Sequence, residues 1–304
     1  MNILVTGGAG FVGSHIVDIL IENNHQVTVV DSLITGKKEN INPQAKFYQI
    51  DIRSNELENI FQQETPEIVY HLAAQAIVPP SIEDPLNDQD VNIGGTINIL
   101  ELMRKYQAKK IIYSSSAAIY GNPVSLPVKE EHPIQPISPY GLSKSAAEQY
   151  IKLYFRMYGI DYTILRYANI YGPRQTSDGE GGVISIFIDK LKNNQPLTIN
   201  GDGRHTRDYI YVGDVAKANL KALQHGSRAV VNISTGIAVS LNELVETLTR
   251  AVDEDVEVFY GEKRKGDIVH SSLDPSLSSI FLKWEYEKSL AEGLQITFNT
   301  NKKT

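Results

Sequence analysis

The chain has 304 residues, of which 41% are hydrophobic and 21% are charged, values typical of soluble globular proteins. This length allows one large or two modest domains and excludes a small peptide scaffold or a disordered chain. The formal net charge of -7 disfavours nucleic acid as a partner, because the phosphate backbone is itself negative. Since the sequence contains no cysteine, disulfides, thiolate metal sites and thiol nucleophiles are excluded. No other metal site is predicted.

The first residues of the sequence give an expectation about the cellular compartment. It runs Met-Asn-Ile-Leu-Val-Thr directly into glycines, without a basic leader or an apolar segment of signal-peptide length. No stretch of the sequence is long and apolar enough to span a bilayer. We therefore expect a cytoplasmic protein without a membrane partner.

Short apolar runs alternate with longer amphipathic segments through the first half of the chain. Helices are predicted near residues 11–23, 54–63, 87–105 and 138–158. A strand reaches a parallel neighbour through a crossover, usually a helix, so this order predicts an α/β fold with a doubly wound parallel (Rossmann) sheet. The runs rich in β-branched residues, predicted as buried strands, are Ile3–Thr6, Val27–Val30, Phe47–Ile50, Ile68–His71, Ile111–Ser114 and Thr163–Arg166.

The pattern changes after Arg166, where loops rich in glycine, proline and aspartate interrupt it. A helix near 215–224 and a strand at 229–233 resemble those of the first half, so the chain is expected to return to the sheet. We therefore predict two discontinuous domains. The first, built on the sheet, comprises residues 1–167 and 208–233, and a smaller α/β domain comprises residues 168–207 and 234–304.

Three glycines spaced three residues apart, Gly7, Gly10 and Gly13, follow the first predicted strand and open the first helix. Glycines in this context let backbone amides approach a pyrophosphate. Asp31 ends the second strand, where its carboxylate would accept from both hydroxyls of an adenosine ribose and repel a 2'-phosphate. These residues predict a dinucleotide site that prefers NAD to NADP. Asp51, after the third strand, is a candidate either to meet the adenine edge or to cap the next helix.

A tyrosine and a lysine are candidates for catalysis. Tyr140 and Lys144 lie four residues apart, after Ser138 and Pro139, which favour the start of a helix, so both side chains share one helix face. A phenol has a pKa of about 10, but a lysine one turn away and the positive helix end both favour the phenolate. The arrangement predicts Tyr140 as a general base.

The spacing alone is weak evidence, because Tyr106 and Lys110 repeat it. That pair straddles a helix end and a strand start, so we predict that both residues lie at the surface. The serine run at 114–116 supplies independent support, since it ends the fifth strand at the sheet edge where doubly wound folds bind ligands. A hydroxyl there can hold the same substrate oxygen.

Further motifs extend along almost the whole chain: TGGAGFVGSH at 6–15, DIR at 51–53, HLAAQ at 71–75, SSSAAIYG at 114–121, SPYGLSK at 138–144, RYANIYGPRQ at 166–175, RDYIYVGDVA at 207–216 and RKGD at 264–267. In combination with Asp31 they resemble the extended short-chain dehydrogenase/reductases, and within them the nucleotide-sugar 4-epimerases of the UDP-glucose 4-epimerase type. The resemblance implies that Ser116 and Tyr140 share the sugar hydroxyl and that Lys144 holds the nicotinamide ribose of NAD. The other residues implied to contact NAD are Gly7, Gly10, Phe11, Val12, Gly13, Asp31, Asp51, Ile52 and Ala73.

The resemblance also implies a UDP-sugar as the substrate. Asn169, Arg207 and Arg264 would meet the diphosphate, and Asp267 would lie near the uridine ribose. In glucose-restricted members of this group a tyrosine lies four residues after the matching aspartate, where it limits the room beside the hexose 2-substituent. This chain has Ser271 there, so we predict a pocket that admits an N-acetyl group as well as a hydroxyl.

Related enzymes that dehydrate or decarboxylate the sugar are similar in carrying carboxyl residues where this chain has Ala117 and Ala118. Both reactions are therefore disfavoured, because they need an acid or base at that place. A 4-ketosugar-nucleotide reductase is the alternative, since its hydride step needs the same residues, and a non-catalytic NAD-binding protein is the least favoured. The base preference stays open, because Asn200 stands where many members carry an aromatic residue.

The helix predicted at 138–158 carries two apolar stripes, which require two partners. One is predicted to face the cofactor and the sheet, and the resemblance favours a homodimer built on the other. The first stripe consists of Tyr140, Lys144, Ala147, Ile151, Tyr154 and Tyr158, and the second of Ala146, Tyr150, Leu153 and Met157.

Overall fold

The computed structural model describes residues 1–177, 182–253, 256–262 and 268–300. The strands are β1 (Asn2–Thr6), β2 (Gln26–Asp31), β3 (Lys46–Gln49), β4 (Ile68–His71), β5 (Lys110–Ser116), β6 (Asp161–Tyr167), β7 (Asn169–Tyr171), β8 (Leu197–Asn200), β9 (Thr206–Arg207), β10 (Tyr209–Tyr211), β11 (Ala229–Ile233), β12 (Val239–Ser240) and β13 (Val258–Gly261). The helices are α1 (Phe11–Glu22), α2 (Leu57–Glu64), α3 (Val78–Glu83), α4 (Pro85–Gln89), α5 (Gly95–Lys105), α6 (Pro139–Tyr158), α7 (Val183–Lys192), α8 (Val212–Gln224), α9 (Leu241–Val252), α10 (Ser276–Leu282) and α11 (Leu290–Thr300). None of the helices within these ranges is long and apolar enough to cross a membrane.

Seven parallel strands form the central sheet, in the order β11-β6-β5-β4-β1-β2-β3. All six predicted strands are present in it, so the predicted fold class is confirmed. β11 pairs in parallel with β6, with Ala229 opposite Thr163, which shows that the chain returns to the sheet. The strand order reverses between β1 and β4, and ligands bind outside the carboxyl ends of the strands at such a reversal.

Helices cover both faces of the sheet, because its strands carry apolar side chains on both faces. Successive residues of a strand point to opposite faces, so Leu4 and Val5 belong to different cores. The core that contains Val5 is covered by α1 and α8, which pack against each other. The core that contains Leu4 is covered by α2, α5 and α6. This packing fixes the start of α6 beside the carboxyl end of β5.

A third apolar cluster lies away from the sheet and joins α7, α9, α11 and β8. The strand pairs β7–β10, β9–β12 and β8–β13 lie outside the central sheet. The two-domain division at 1–167 with 208–233 and 168–207 with 234–304 stays a prediction. Within the second of these parts, Leu282 and Trp284 pack into the core of the sheet rather than into the third cluster.

The single helix predicted over 87–105 is divided into α4, a π-helical turn at Asp90–Gly94 and α5. The turn places Asn92 in a buried position, where its amide Nδ2 donates to the hydroxyl of Ser143 (2.9 Å) and to the carbonyl of Gln75 (3.0 Å). π-helical turns are rare and occur frequently at functional sites. Through the hydrogen bonds of Asn92, this turn is joined both to α6 and to the loop after β4.

The prediction that Tyr106 and Lys110 lie at the surface is wrong for Lys110, which is 7% exposed. Its Nζ donates to the carbonyl oxygens of Ala222 (2.5 Å) and His225 (3.1 Å) at the C-terminal end of α8. A cation there interacts favourably with the helix dipole. Lys110 is buried because α8, which is distant in sequence, supplies these acceptors.

Candidate active site

A cavity opens at the carboxyl ends of the sheet strands, where Gly7 follows β1 and Ala73 follows β4. Its volume of about 340 Å³ is in the usual range of ligand pockets, roughly 300–1,000 Å³. The fold brings to it residues from the ends of six strands of the sheet, β1 to β6, and from the helices α1, α4 and α6. All of the predicted cofactor and catalytic residues line it: Gly7, Gly10, Phe11, Val12, Gly13, Asp31, Asp51, Ile52, Ala73, Ser116, Tyr140 and Lys144.

The glycine loop lies between β1 and α1, and close contacts require glycine at two of its positions. Gly7 has a φ of +72°, and a Cβ there would lie 2.6 Å from the backbone nitrogen of Ala73. A Cβ on Gly13 would lie 2.1 Å from the carbonyl oxygen of Gly7. Gly10 is the N-cap of α1, and no side chain of the described residues caps this helix end. The loop therefore leaves the first amides of α1 available for a phosphate.

Asp31 ends β2 and is 7% exposed. Its Oδ2 accepts a hydrogen bond from the amide of Ala9 (2.9 Å), and its Oδ1 accepts from the amide of Leu33 (2.8 Å). Burial raises the pKa of Asp31, and these two bonds act in the opposite direction. The carboxylate is thereby held against the glycine loop, a position that suits the predicted contact with an adenosine ribose.

Asp51 lies just after β3 and is bonded to Arg53. Its carboxylate accepts from the amide (2.8 Å) and from Nη2 (2.7 Å) of Arg53, whose Nη1 donates to Asp90 (2.9 Å). The Arg53 guanidinium holds the pKa of Asp51 below its usual range. α2 begins at Leu57 without a side-chain cap, so the alternative role of Asp51 as a helix cap is not observed. Arg53 also lines the cavity and was not singled out from the sequence as a binding residue.

The catalytic candidates lie where α6 begins. The hydroxyl of Ser138 accepts from the amide of Gly141 (3.1 Å) and caps the helix, which starts at Pro139 as its sequence predicts. This start places Tyr140 in the first turn of α6 and Lys144 in the second, both facing the cavity. Ser116, which ends β5, lines the same cavity, and its hydroxyl accepts from the amide of Ala118 (3.2 Å).

Lys144 is 3% exposed, and its Nζ lies 4.6 Å from the centroid of the Tyr113 ring. Burial lowers the pKa of Lys144 to about 8, while Asp88 and then Glu148 act in the opposite direction. The side chain is thus still mainly charged near neutral pH. A buried cation next to a phenol favours the phenolate, so this environment suits Tyr140 as a base.

A second cavity adjoins the first at Ile170, which lines both. Asn169 and Arg207, two of the predicted diphosphate residues, line this second cavity. Three of its polar side-chain atoms are buried without a hydrogen-bond partner among the described residues: Gln175 Oε1, His205 Nε2 and Tyr209 Oη. Unpaired buried polar groups suit a polar ligand. Sequence reasoning did not single out these three, although the RYANIYGPRQ motif contains Gln175.

The remaining predicted substrate residues are Arg264, Asp267 and Ser271. Arg264 and Asp267 lie outside the described residues. Ser271 follows β13 in the chain, and its amide donates to the carbonyl of Thr206 (3.2 Å) at the edge of β9. It is not among the described residues that line the two cavities, so its place beside the sugar stays a prediction.

Comparison with known proteins confirms the resemblance. The family model of the NAD dependent epimerase/dehydratase family matches residues 3–234. A relative from Methanocaldococcus jannaschii, named putative UDP-glucose 4-epimerase, is 53% identical over 98% of this chain and 97% of its own length. The UDP-glucose 4-epimerase of Thermotoga maritima, solved with UDP-glucose, matches with a TM-score of 0.96 and 47% identity over 99% of this chain and 98% of its own. The UDP-N-acetylglucosamine 4-epimerase of Methanobrevibacter ruminantium, in complex with UDP-N-acetylmuramic acid, matches with a TM-score of 0.94 and 36% identity over 98% of this chain and 97% of its own. This chain therefore belongs to the NAD-dependent epimerase/dehydratase family.

Proposed function

We propose that the protein is an NAD-dependent 4-epimerase of UDP-hexoses, which inverts carbon 4 through a transient 4-keto sugar. The observation that carries the proposal is the junction of the two cavities at Ile170, with Tyr140 and Lys144 on one side and Arg207 on the other. A ligand that crosses this junction can place its hexose at Tyr140 and its diphosphate at Arg207. The UDP-sugars bound to the Thermotoga and Methanobrevibacter enzymes support this substrate class.

The site residues have distinct tasks in this reaction. NAD, held by the glycine loop and Asp31, would supply the acceptor for the hydride of carbon 4 and, once reduced, the hydride that returns to the opposite face of the keto sugar. Tyr140 takes the proton of the carbon-4 hydroxyl and later gives it back, while the hydroxyl of Ser116 holds the same oxygen. Lys144 stabilises the phenolate of Tyr140 and binds the nicotinamide ribose.

The ketone must turn over in the pocket between the two hydride transfers, so the hexose has to be held weakly. The nucleotide has to be held strongly at the same time. Arg207 suits this task, because guanidinium–phosphate bonds are charge-assisted and often bidentate. Asn169 and Arg264 are proposed to share the diphosphate, and Asp267 to bind the uridine ribose.

The residues next to Ser116 support epimerisation over elimination. Ala117 and Ala118 form the 3-10 turn that follows β5, and neither carries a carboxyl group. Loss of water or of carbon dioxide from the sugar would need a general acid or base beside the reacting carbon. Return of the hydride is therefore the step that these side chains favour.

The test is incubation of the purified protein with UDP-glucose, UDP-galactose and their N-acetyl forms, without added cofactor. We expect interconversion at carbon 4 and release of NAD when the protein is denatured. Tyr140→Phe should retain NAD and lose at least about a hundredfold in rate, the usual effect of removing a general base. Tyr106→Phe is the matched control, because Tyr106 also precedes a lysine by four residues but its hydroxyl donates to Glu58 outside the cavity. Net consumption of NADH by a 4-ketosugar, without interconversion, would instead identify a reductase.

We also propose a homodimer formed through α6. Its first stripe is buried against the sheet at Lys144, Ala147 and Ile151, but the second is partly exposed, with Tyr150 and Leu153 at 37% and Met157 at 56%. A contiguous apolar face of this kind suits contact with a second copy of the chain. Leu153→Glu should therefore yield a monomer in sedimentation analysis, and an unchanged mass would contradict the proposal. The prediction that Tyr158 faces the sheet is wrong: it is 45% exposed, in the last turn of α6, with its ring against Tyr154.

The cytoplasm remains the proposed location, because NAD and UDP-sugars are metabolites of that compartment. Cell fractionation with an antibody to the protein tests this.

A further inference from the structure

The ammonium of Lys144 must stay charged in a buried place if it is to stabilise the Tyr140 phenolate as proposed above. Five ionisable side chains surround it in the described part of the chain: His71 from β4, Asp88 from α4, Tyr113 from β5, and Tyr140 and Glu148 from α6. Two of them are carboxyl groups, which favour the charged form of Lys144.

Two of these groups bring no charge to Lys144 near neutral pH. His71 is 1% exposed, and burial, with a smaller effect of Lys144, lowers its pKa to about 3, so its imidazole stays neutral. Its two nitrogens are bonded to the hydroxyls of Thr6 (2.8 Å) and Thr96 (2.9 Å). Tyr113 presents its ring face to Lys144, and burial raises the pKa of its hydroxyl well above the usual value. While Tyr140 keeps its proton, the compensating charge must therefore come from a carboxylate.

The charge of Glu148 is already compensated. Its carboxylate accepts a bidentate pair of bonds from Arg166, from Nε at 2.9 Å and from Nη2 at 2.7 Å, and both side chains are buried. The Nζ of Lys152 lies 3.6 Å from the same carboxylate. Two cations at this distance largely cancel the field of Glu148 at Lys144.

Asp88 is different, because its carboxylate is 0% exposed and has no cation within ion-pair distance among the described residues. Its Oδ1 accepts from Gln75 Nε2 (3.1 Å) and Asn92 Nδ2 (3.2 Å), and its Oδ2 is buried without a hydrogen bond of standard geometry in the same ranges. Burial raises the pKa of Asp88, while the Ser143 hydroxyl, Gln75 and Lys144 act in the opposite direction and favour the carboxylate. Asn92 Nδ2 also donates to the hydroxyl of Ser143 (2.9 Å), the residue directly before Lys144. The carboxylate is therefore connected to the turn of α6 that carries Lys144.

We propose that Asp88 is the counter-charge of Lys144, a positioning residue that keeps the ammonium charged beside Tyr140. An unpaired buried carboxylate is unfavourable by itself, and its attraction to Lys144 offsets part of that penalty. Asp88 acts on the reaction through Lys144 and, on this proposal, sets the upper pH limit of activity. The inference rests on the proposed epimerase function.

The test compares pH profiles of kcat for epimerisation at constant ionic strength. Asp88→Asn keeps the shape and the Oδ1 acceptor, and Asp88→Ser removes the same charge with a smaller side chain. In both variants Lys144 should lose its proton at lower pH, so the alkaline limb of the profile should move down by about one pH unit or more. The KM for the UDP-sugar should stay near that of the unmodified protein. Glu83→Gln is the matched control, because it removes one negative charge from the exposed end of α3.

The outcomes separate this inference from the proposed function. An unmodified protein that does not interconvert UDP-hexoses would refute the function itself. If the unmodified protein is active and the alkaline limb of its pH profile is unshifted in both Asp88 variants, then Asp88 is not the counter-charge of Lys144. Loss of bound NAD or of cooperative unfolding at neutral pH in both variants would assign Asp88 a general structural role and overturn the inference. A downward shift in both variants, with NAD retained and Glu83→Gln unchanged, supports it.

Discussion

Replacing Lys144 by methionine should stabilise the protein while abolishing its activity. Methionine is similar in length and carries no charge, so it fits the buried site without an ammonium to desolvate. Burial lowers the pKa of Lys144 from 10.5 to about 8, although Asp88 and Glu148 act in the opposite direction. Near pH 7 Lys144 is charged in both the folded and the unfolded protein. The lowered pKa then means that the charged side chain destabilises the folded state by about 3 kcal/mol.

The pH dependence gives this prediction a definite sign. The folded pKa of Lys144 is below the unfolded one, so between about pH 8 and 10.5 the unfolded state binds more protons and the stability of the unmodified protein rises with pH. The unfolding free energy of Lys144→Met should therefore exceed that of the unmodified protein by about 3 kcal/mol near pH 7 and by under about 1 kcal/mol near pH 10.

The assay is denaturant unfolding of the cofactor-depleted protein at both pH values, together with the rate of epimerisation. Lys109→Met is the control, because Lys109 is exposed and its ion pair with Glu67 at 3.1 Å should contribute less than about 1 kcal/mol. A Lys144→Met variant that is less stable than the unmodified protein at pH 7, or whose advantage is the same at pH 10, would refute the reasoning.

Three further predictions concern other parts of the molecule. Gly13→Ala should abolish retention of NAD, measured by absorbance of the dinucleotide released on denaturation, because the new Cβ would lie 2.1 Å from the carbonyl oxygen of Gly7. Arg166→Met should lower the unfolding free energy by about 3–5 kcal/mol, since it removes the bidentate partner of the buried Glu148 carboxylate and leaves only Lys152, whose Nζ lies 3.6 Å away. In that variant burial raises the pKa of Glu148, so the loss should shrink as the pH falls and the carboxyl group takes up its proton, and adding Glu148→Leu should restore most of the stability. Ser271→Tyr should slow turnover of UDP-N-acetylglucosamine relative to UDP-glucose, and an unchanged ratio would exclude Ser271 from the sugar site.

The sheet and the cofactor cavity were predictable because their signals are local. A parallel strand buried on both faces is apolar at every position, as in Ile3–Thr6, whichever strands become its neighbours. Gly7 and Gly13 are required by contacts within one strand–loop–helix unit and with the adjacent strand end. The carboxyl ends of parallel strands meet at one edge, so Asp31 and Ser116 were expected to face the same cavity, and both line it.

The second cavity was only partly predictable. Asn169 and Arg207 follow from motifs, but the exposed or buried state of Gln175, His205 and Tyr209 depends on how α7, β8 and β10 are packed together. These side chains became candidates for ligand contact only through buried atoms that lack partners in the described residues. Sequence patterns do not show whether a polar atom is paired, because its partners come from distant segments.

The sequence by itself determined the parallel sheet, the glycine loop and the helix start that places Tyr140 and Lys144 on one face. Each of these depends on residues that are close together in the chain. Only the tertiary structure decided which charges are compensated: Glu148 meets Arg166 from β6, Lys110 meets the end of α8, and Asp88 is left near Lys144 without another cation among the described residues. The physical reason is that the energy of a buried charge depends on its distance to other charges and to water, and both are set by packing between segments that are far apart in the sequence.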